Sequence, residues 1–251
     1  MRFEILNVEH GFAAYAIAQD GSALLFDCGH SSTVRPSNVL SQQGVRSISN
    51  LFISHYDEDH ISDLPQLRKQ FTIDVLTRNK SVPASELRRL KAPITPAMSE
   101  MISMCETYTH PRSDDYPGIE TAVFWNSYPQ FTDTNNLSLL IFVTIGNTHV
   151  ALPGDLERHG WLTLLQDEAV RMRLRHVDYF VASHHGRESG YCKEVFDYCM
   201  PSAVIFSDAS ISHDTQQMAA TYGQHASGIE FKGEHRRVLT TRHDGTLTWN
   251  I

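Results

Sequence analysis

Residues 53–64 read ISHYDEDHISDL, and within them His55, Asp57, Glu58, Asp59 and His60 stand in six consecutive positions. The stretch follows the apolar run Leu51-Phe52-Ile53 and precedes a segment with helical character from Asp63 to Phe71, where Pro65 is tolerated in a first turn. It is therefore a strand-to-helix corner loaded with titratable and metal-capable side chains. On an extended chain His55, Asp57 and Asp59 share one side, and His60 follows at the turn. A solvated polar loop with a helix N-cap at Asp59 or Ser62 explains one such residue, not four ligand types in six positions.

Three further segments share this layout of an apolar run ending in ligand-type residues: LLFDCG (24–29), VALPGD (150–155) and YFVASHHG (179–186). Strand ends that point the same way bring such residues to one rim of a sheet. Metal ions need several N and O donors converging from rigid elements. His55, Asp57, Asp59, His60, Asp155, His184 and His185 are thus candidate ligands, with the choice between His184 and His185 open. Asp27 reads as a residue that orients a ligand histidine through a hydrogen bond.

Around these blocks, strands are expected at Arg2–Val8, Ala13–Ala18, Ala23–Phe26, Leu51–Ser54, Ile73–Leu76, Ile119–Trp125, Leu137–Ile145, His149–Leu152, Val177–Ala182 and Ala203–Ser207. Helices are expected at Arg158–Gln166, Glu168–Leu174, Tyr191–Met200 and Thr215–Tyr222, and a closing hairpin from Arg236–Thr241 and Thr246–Ile251. Residues 77–118 differ: they hold five of the ten prolines and helical patches at Ala84–Ala92 and Pro96–Tyr108, which suggests an inserted helical segment that flanks or covers the site. Mixed strands and helices without repeats or linkers give an α/β or α+β class with layered sheets in a single domain, 1–251.

The bulk numbers narrow the function. A net charge of −8 argues against nonspecific nucleic-acid binding through a basic surface, although metal ions in a carboxylate cleft reverse the local sign. The most apolar stretch, Leu137–Ile145, is too short to cross a bilayer, so no membrane partner is expected. The four cysteines (Cys28, Cys105, Cys192, Cys199) include no C-x-x-C pair, and Cys192 and Cys199 sit seven apart, on one face of the expected helix. With no signal-peptide pattern at the N-terminus, these features point to a reduced, cytoplasmic, soluble chain.

The order D-C-G, H-x-D-x-D-H, N-x-S, G-D, H-H-G resembles the metallo-β-lactamase fold, whose usual H-x-H-x-D-H is matched at His55, Asp59 and His60 with Asp57 in place of the second histidine. More narrowly it is similar to the hydrolase domain of ComEC-type DNA-uptake competence proteins and their free-standing relatives. The similarity runs through Asn7–Gly11, Phe26–Gly29, Asn135–Ser138, Pro153–Glu157, Ser183–Gly186, Ser207–His213 and Thr241–Leu247. It covers nearly all of the chain apart from about 77–118.

The resemblance implies a four-layer αββα sandwich and two divalent ions. His55 and Asp57 would hold one; Asp59 and His60, with one of His184 and His185, would hold the other; Asp155 would bridge them. No third-motif histidine is evident, and Asn136 stands near where it would fall. Hard oxygen donors at Asp57, Asp155 and Asn136 favour Mn²⁺, with Zn²⁺ second. A weak or empty first site stays open.

The implied activity is metal-dependent hydrolysis, with a phosphodiesterase or nuclease first and a nucleic acid or other phosphodiester as substrate. Asp59 is placed at the catalytic centre. His213 is a candidate for substrate contact or leaving-group protonation. Arg187 and Ser189, with Asn136, are candidates for substrate binding, helped by the start of the expected 191–200 helix. Ester, thioester or lactone hydrolysis, and a non-catalytic effector working with a protein partner in a multi-gene system, are the alternatives. His10, His110, His149, His159, His176, His225, His235 and His243 receive no role.

Overall fold

A computed structural model describes residues 1–91, 93–110, 115–210 and 217–251. In chain order the strands are β1 (Arg2–Ile5), β2 (Ala14–Ile17), β3 (Ala23–Phe26), β4 (Ser47–Phe52), β5 (Thr72–Thr77), β6 (Ile119–Trp125), β7 (Leu139–Ile145), β8 (Thr148–Leu152), β9 (Tyr179–Val181), β10 (Ala203–Phe206), β11 (Ile229–Phe231), β12 (Glu234–Arg236), β13 (Val238–Thr240) and β14 (Leu247–Asn250). They form one six-stranded sheet in the order β14-β1-β2-β3-β4-β5, a second in the order β13-β10-β9-β8-β7-β6, and the small hairpin β11-β12. In each large sheet an antiparallel part leads into a parallel part: β3, β4 and β5 run together in the first, and β8, β9, β10 and β13 in the second.

The helices are α1 (Pro36–Gln42), α2 (Glu58–Ile61), α3 (Leu64–Gln70), α4 (Ala84–Leu90), α5 (Pro96–Thr107), α6 (Arg158–Leu164), α7 (Glu168–Leu174), α8 (Ala219–Gly223) and α9 (Thr241–Asp244). Alternation along the strands divides the apolar residues into three buried layers. Phe3, Ile5, Phe26, Ile141, Val143 and Ile205 fill the space between the sheets. Leu25, Leu51, Leu64, Leu67, Met101 and Ile102 join the first sheet to α3 and α5. Phe142, Trp161, Val170, Leu174, Phe180 and Phe206 join the second to α6 and α7. A strand buried on both faces must be apolar throughout, and β3, ALLF, is buried at all four positions. The result is the αββα sandwich, helices outermost.

The 77–118 segment supplies α4 and α5. Thr95 caps α5 by accepting from Met98 N, Pro96 occupies the first turn, and Met98, Met101, Ile102 and Cys105 face inward against α2 and α3.

Several expectations change. Tyr191–Met200 is no α-helix; it holds only a short 3₁₀ turn at Lys193–Asp197, although Cys192 and Cys199 are buried as thiols. The expected Thr215–Tyr222 helix begins at Ala219; positions 215 and 216 lie outside the described residues. The closing pair is not a hairpin. β13 pairs in parallel with β10 in the second sheet, α9 turns the chain, and β14 pairs antiparallel with β1 in the first. Local turn chemistry at His243-Asp244-Gly245 reverses the chain, but long-range pairing sends its two arms to different sheets. No helix among the described residues is long and apolar enough to cross a membrane.

Candidate metal centre

The parallel strands of both sheets end at the same rim, and the residues just past them converge there. β3 leads to Asp27, β4 to His55–His60, β8 to Asp155, β9 to His184 and His185, and β10 to Ser207. Asp155 lies at the middle. Its Oδ1 is 3.3 Å from His60 Nε2, and its Oδ2 is 3.6 Å from His185 Nε2 and 3.7 Å from both His55 Nε2 and His184 Nε2. Asp59 Oδ2 stands 3.2 Å from His185 Nε2, and Asp57 Oδ1 is 3.8 Å from His55 Nε2.

The backbone is shaped to bring these atoms together. His184 and His185 both adopt left-handed geometry, with φ of 51° and 54°. Non-glycine residues held there cost about 1–3 kcal/mol each. The kink sends two adjacent rings in different directions: their planes lie 65° apart. His185 turns to Asp59 and His60, while His184 turns to Asp155 and Glu157, with Nδ1 3.4 Å from Glu157 Oε1. The 55–60 corner is clamped through its own carbonyls. Phe12 N donates to Asp59 O, and Cys28 N donates to His60 O at 2.7 Å. A Cβ on Gly29 would lie 1.9 Å from Asp59 O, and one on Gly11, where φ is 122°, 2.3 Å from it.

Each buried imidazole has its Nδ1 occupied and its Nε2 turned inward. His60 Nδ1 donates to Asp27 Oδ2 at 2.8 Å. Asp27 also accepts from Ser54 Oγ at 2.6 Å and from Ser54 N at 2.7 Å. Ser54 Oγ lies 3.1 Å from His55 Nδ1, which donates to it, and His185 Nδ1 donates to the carbonyl of Ser207 at 2.9 Å. His55 Nε2 is buried with no hydrogen-bond partner. An orphaned Nε2 beside a buried carboxylate, on rings whose tautomers are set from behind, is a donor set suited to a divalent cation.

The electrostatics agree. Burial opposes ionisation of Asp155, yet His185, His60 and His55 outweigh it and hold the carboxyl well below the usual range. Burial likewise opposes charge on His60, but Asp155 and Asp27 raise its proton affinity well above the ordinary value. The cluster collects negative charge that a cation satisfies. Phe26, Ile141, Leu152 and Val181 line a cavity of about 20 Å³ beneath it. That apolar floor keeps the local dielectric low and strengthens each interaction.

A family model described as the metallo-beta-lactamase superfamily matches residues 13–184. The chain belongs to the metallo-β-lactamase superfamily. It is also similar to ComE operon protein 3 of Bacillus subtilis (strain 168), 24% identical over 216 residues, covering 84% of this chain and 25% of that protein. It thus spans about a quarter of that relative's length. Among solved structures, the metallo-β-lactamase fold protein YhfI from Bacillus subtilis superposes with a TM-score of 0.54 at 12% identity over all of both chains. Zn²⁺-bound PqqB from Methylobacterium extorquens gives the same TM-score, identity and coverage. These likenesses show the fold. With the His/Asp cluster, family membership supports a metal-dependent hydrolase of the metallo-β-lactamase fold, a fold that generally binds divalent metals.

The expected ligand residues His55, Asp57, Asp59, His60, Asp155, His184 and His185 all reach this rim, and Asp27 stands behind His60. His184 and His185 both reach the same oxygen, Asp155 Oδ2, His185 Nε2 at 3.6 Å and His184 Nε2 at 3.7 Å. Asn136 is a correction. It is buried, and its Oδ1 accepts from Glu157 N at 3.1 Å and Gly160 N at 2.9 Å, so it caps the start of α6 instead of facing a substrate or ion. Ser189 Oγ lies 3.0 Å from His184 Nδ1, where it orients that ring.

Arg187 forms no ion pair among the described residues, and its Nε is buried without a partner; Glu194 pairs with Arg158 instead. The helix start expected beside Arg187 is not formed. His213 lies outside the described residues.

Sequence reasoning missed His10, whose Nε2 is 3.3 Å from Asp59 Oδ2. It also missed Lys91 and Thr134, which both bond Asp57 Oδ1. His10 sits in the Asn7–Gly11 segment singled out above, which was a usable signal. Nothing local marks Lys91 or Thr134.

Proposed function

We propose that the chain is a phosphodiesterase, acting on the phosphodiester backbone of a nucleic acid, with two divalent ions on either side of Asp155. In this reading Asp57, His55 and His184 would serve one ion, and Asp59, His60 and His185 the other; the atoms that converge most closely are those of His55, His60 and Asp155, and of His10, Asp59 and His185. The carboxylate at Asp57, where the usual motif has a histidine, makes Mn²⁺ the first ion to test; the two imidazoles of each set keep Zn²⁺ second. Ions bound there would polarise a phosphoryl oxygen and lower the pKa of a coordinated water. The protein's own part is positional. Asp27 sets the His60 tautomer, and Ser189 and Glu157 aim His184.

The observation that carries the substrate class is Arg187. It is a guanidinium without an ion pair among the described residues, its Nε is buried without a partner, and it follows His185 by two positions; burial foremost, and Arg187 to a lesser degree, lower the proton affinity of His10 and His184. On an acidic chain, an uncompensated guanidinium beside a metal-type cluster suits a phosphate oxygen.

The test is a panel of bis-p-nitrophenyl phosphate, linear and single-stranded DNA, RNA, and carboxylic ester, thioester and lactone substrates, each assayed with Mn²⁺ or Zn²⁺. Cleavage of phosphodiesters is expected, abolished by chelator and by Asp155→Ala, with Arg187→Ala raising KM for DNA. Turnover of esters or lactones with no phosphodiester cleavage refutes the proposal.

A further inference from the structure

Residues 77–118 hold the ligand block at three consecutive positions. Tyr56 donates its hydroxyl to Asn79 O at 3.1 Å, Lys91 Nζ donates to Asp57 Oδ1, and Thr95 Oγ1 donates to Glu58 Oε2 at 2.6 Å. The middle contact differs in kind, because Asp57 is one of the residues facing the metal-type cluster. Asp57 is the N-cap residue of α2, yet its carboxylate caps no backbone N–H. Its bonds come from the Lys91 ammonium and from Thr134 Oγ1 at 2.7 Å, and both fall on Oδ1. The same oxygen faces His55 Nε2 at 3.8 Å, and that nitrogen has no hydrogen-bond partner.

The side chains of Lys91 and Asp57 are 22% and 34% exposed, so the pair is only partly screened by solvent. An ammonium therefore sits against the carboxylate of the first donor set. Asp59, which belongs to the second set, has imidazoles as its ion-pair partners, His185 at 3.2 Å and His10 at 3.3 Å. The two sets are thus electrostatically unequal before any ion arrives.

We propose that Lys91 is a tethered cation of the first donor set. It neutralises Asp57 while the first ion is absent and must swing away, or share the carboxylate, for that ion to bind. This rests on the reading of two donor sets about Asp155. The second set then fills first, and the helical segment that carries Lys91 sets the affinity of the other. The flexible four-carbon stem allows the ammonium to leave without moving α4, which a short or branched side chain would not.

The test is calorimetric titration of the metal-free full chain with Mn²⁺ and Zn²⁺, for the parent, Lys91→Met and Lys91→Gln. Removing a positive charge beside a divalent ion is expected to tighten the weaker binding event by about tenfold or more and to leave the tighter one unchanged. In the parent protein, amine labelling read by mass spectrometry should find Lys91 protected without metal and at one equivalent, and reactive once the second ion binds. This arm decides the matter if both variants fail to fold.

Ion binding with both affinities unchanged in the variants, and Lys91 labelling independent of metal, overturns the proposal and leaves the metal centre standing. Failure of the parent and both variants to bind any ion overturns the metal-centre reading, and this proposal with it.

Discussion

Asp27→Asn tests how the centre is held. The two carboxylate oxygens of Asp27 accept three hydrogen bonds, from Ser54 N, Ser54 Oγ and His60 Nδ1. Asparagine keeps the size but offers one acceptor and one donor in their place. If its carbonyl keeps the Ser54 N bond, the NH₂ group faces His60 Nδ1. That nitrogen must then accept, which moves the ring proton to Nε2, the atom turned toward Asp155. An incoming ion has to displace that proton, and the imidazole loses the carboxylate that raised its basicity.

Changes of this kind cost 10–100-fold in metal affinity as a rule, or about 1.4–2.8 kcal/mol. The fold should lose less, about 1–2 kcal/mol, because Ser54 Oγ can rotate and only charge-assisted strength is lost. Competition titration against a chromogenic chelator measures the ion affinity, and a thermal melt of the metal-free protein measures the fold. Affinities within twofold of the parent in a protein that melts normally would show that the Asp27–His60 bond does not prepare the ligand, and the reasoning fails.

Other consequences follow from single contacts. Asn136→Ala removes the acceptor for two backbone N–H groups at the start of α6 and should lower stability by about 1–2 kcal/mol; a normal melt with altered substrate KM would return Asn136 to the substrate site. Gly29→Ala drives a Cβ into the Asp59 carbonyl and should reduce both stability and ion binding, whereas Gly44→Ala, with open space around it, should leave ion binding intact; equal ion affinity in the two variants refutes the clamp. The cysteines are buried, and burial pushes Cys105 up to about 11 and Cys192 and Cys199 up to about 12. An aromatic disulfide reagent at pH 8 should titrate none of the four in the native chain and all four in denaturant. Because folded thiols ionise later than unfolded ones, the stability of the neutral form is complete below pH 9 and is lost as pH rises from there toward 12; a melting temperature that rises over that window contradicts the shift.

The elements that were legible in the sequence owe their form to local rules. β3, β6 and α7 fall where alternation, apolar runs and capping put them, and the four ligand-bearing strand ends carry their chemistry in contiguous residues. Elements whose partners are distant were not legible. Arg236–Thr241 and Thr246–Ile251 read as a hairpin because a reversing turn joins them, but pairing of β13 with β10 and of β14 with β1 outweighs the turn. Asn136 read as a site residue because it stands near where the family's third-motif histidine would fall; its two bonds to the start of α6 exist only once α6 packs beside it.

The sequence by itself determined which residue types stand at the metal rim, because adjacent positions on a short strand end must share its location. It also determined the layered α/β class, because hydrophobic period is a local property. The tertiary structure decided what those residues do to one another. It split His184 from His185 by a left-handed kink, placed Asp27 behind His60, and brought Lys91 from 34 residues away onto Asp57. Charge and hydrogen bonding act through space over a few ångströms, so contacts between residues far apart in the chain appear only when the two sheets and their helices close together.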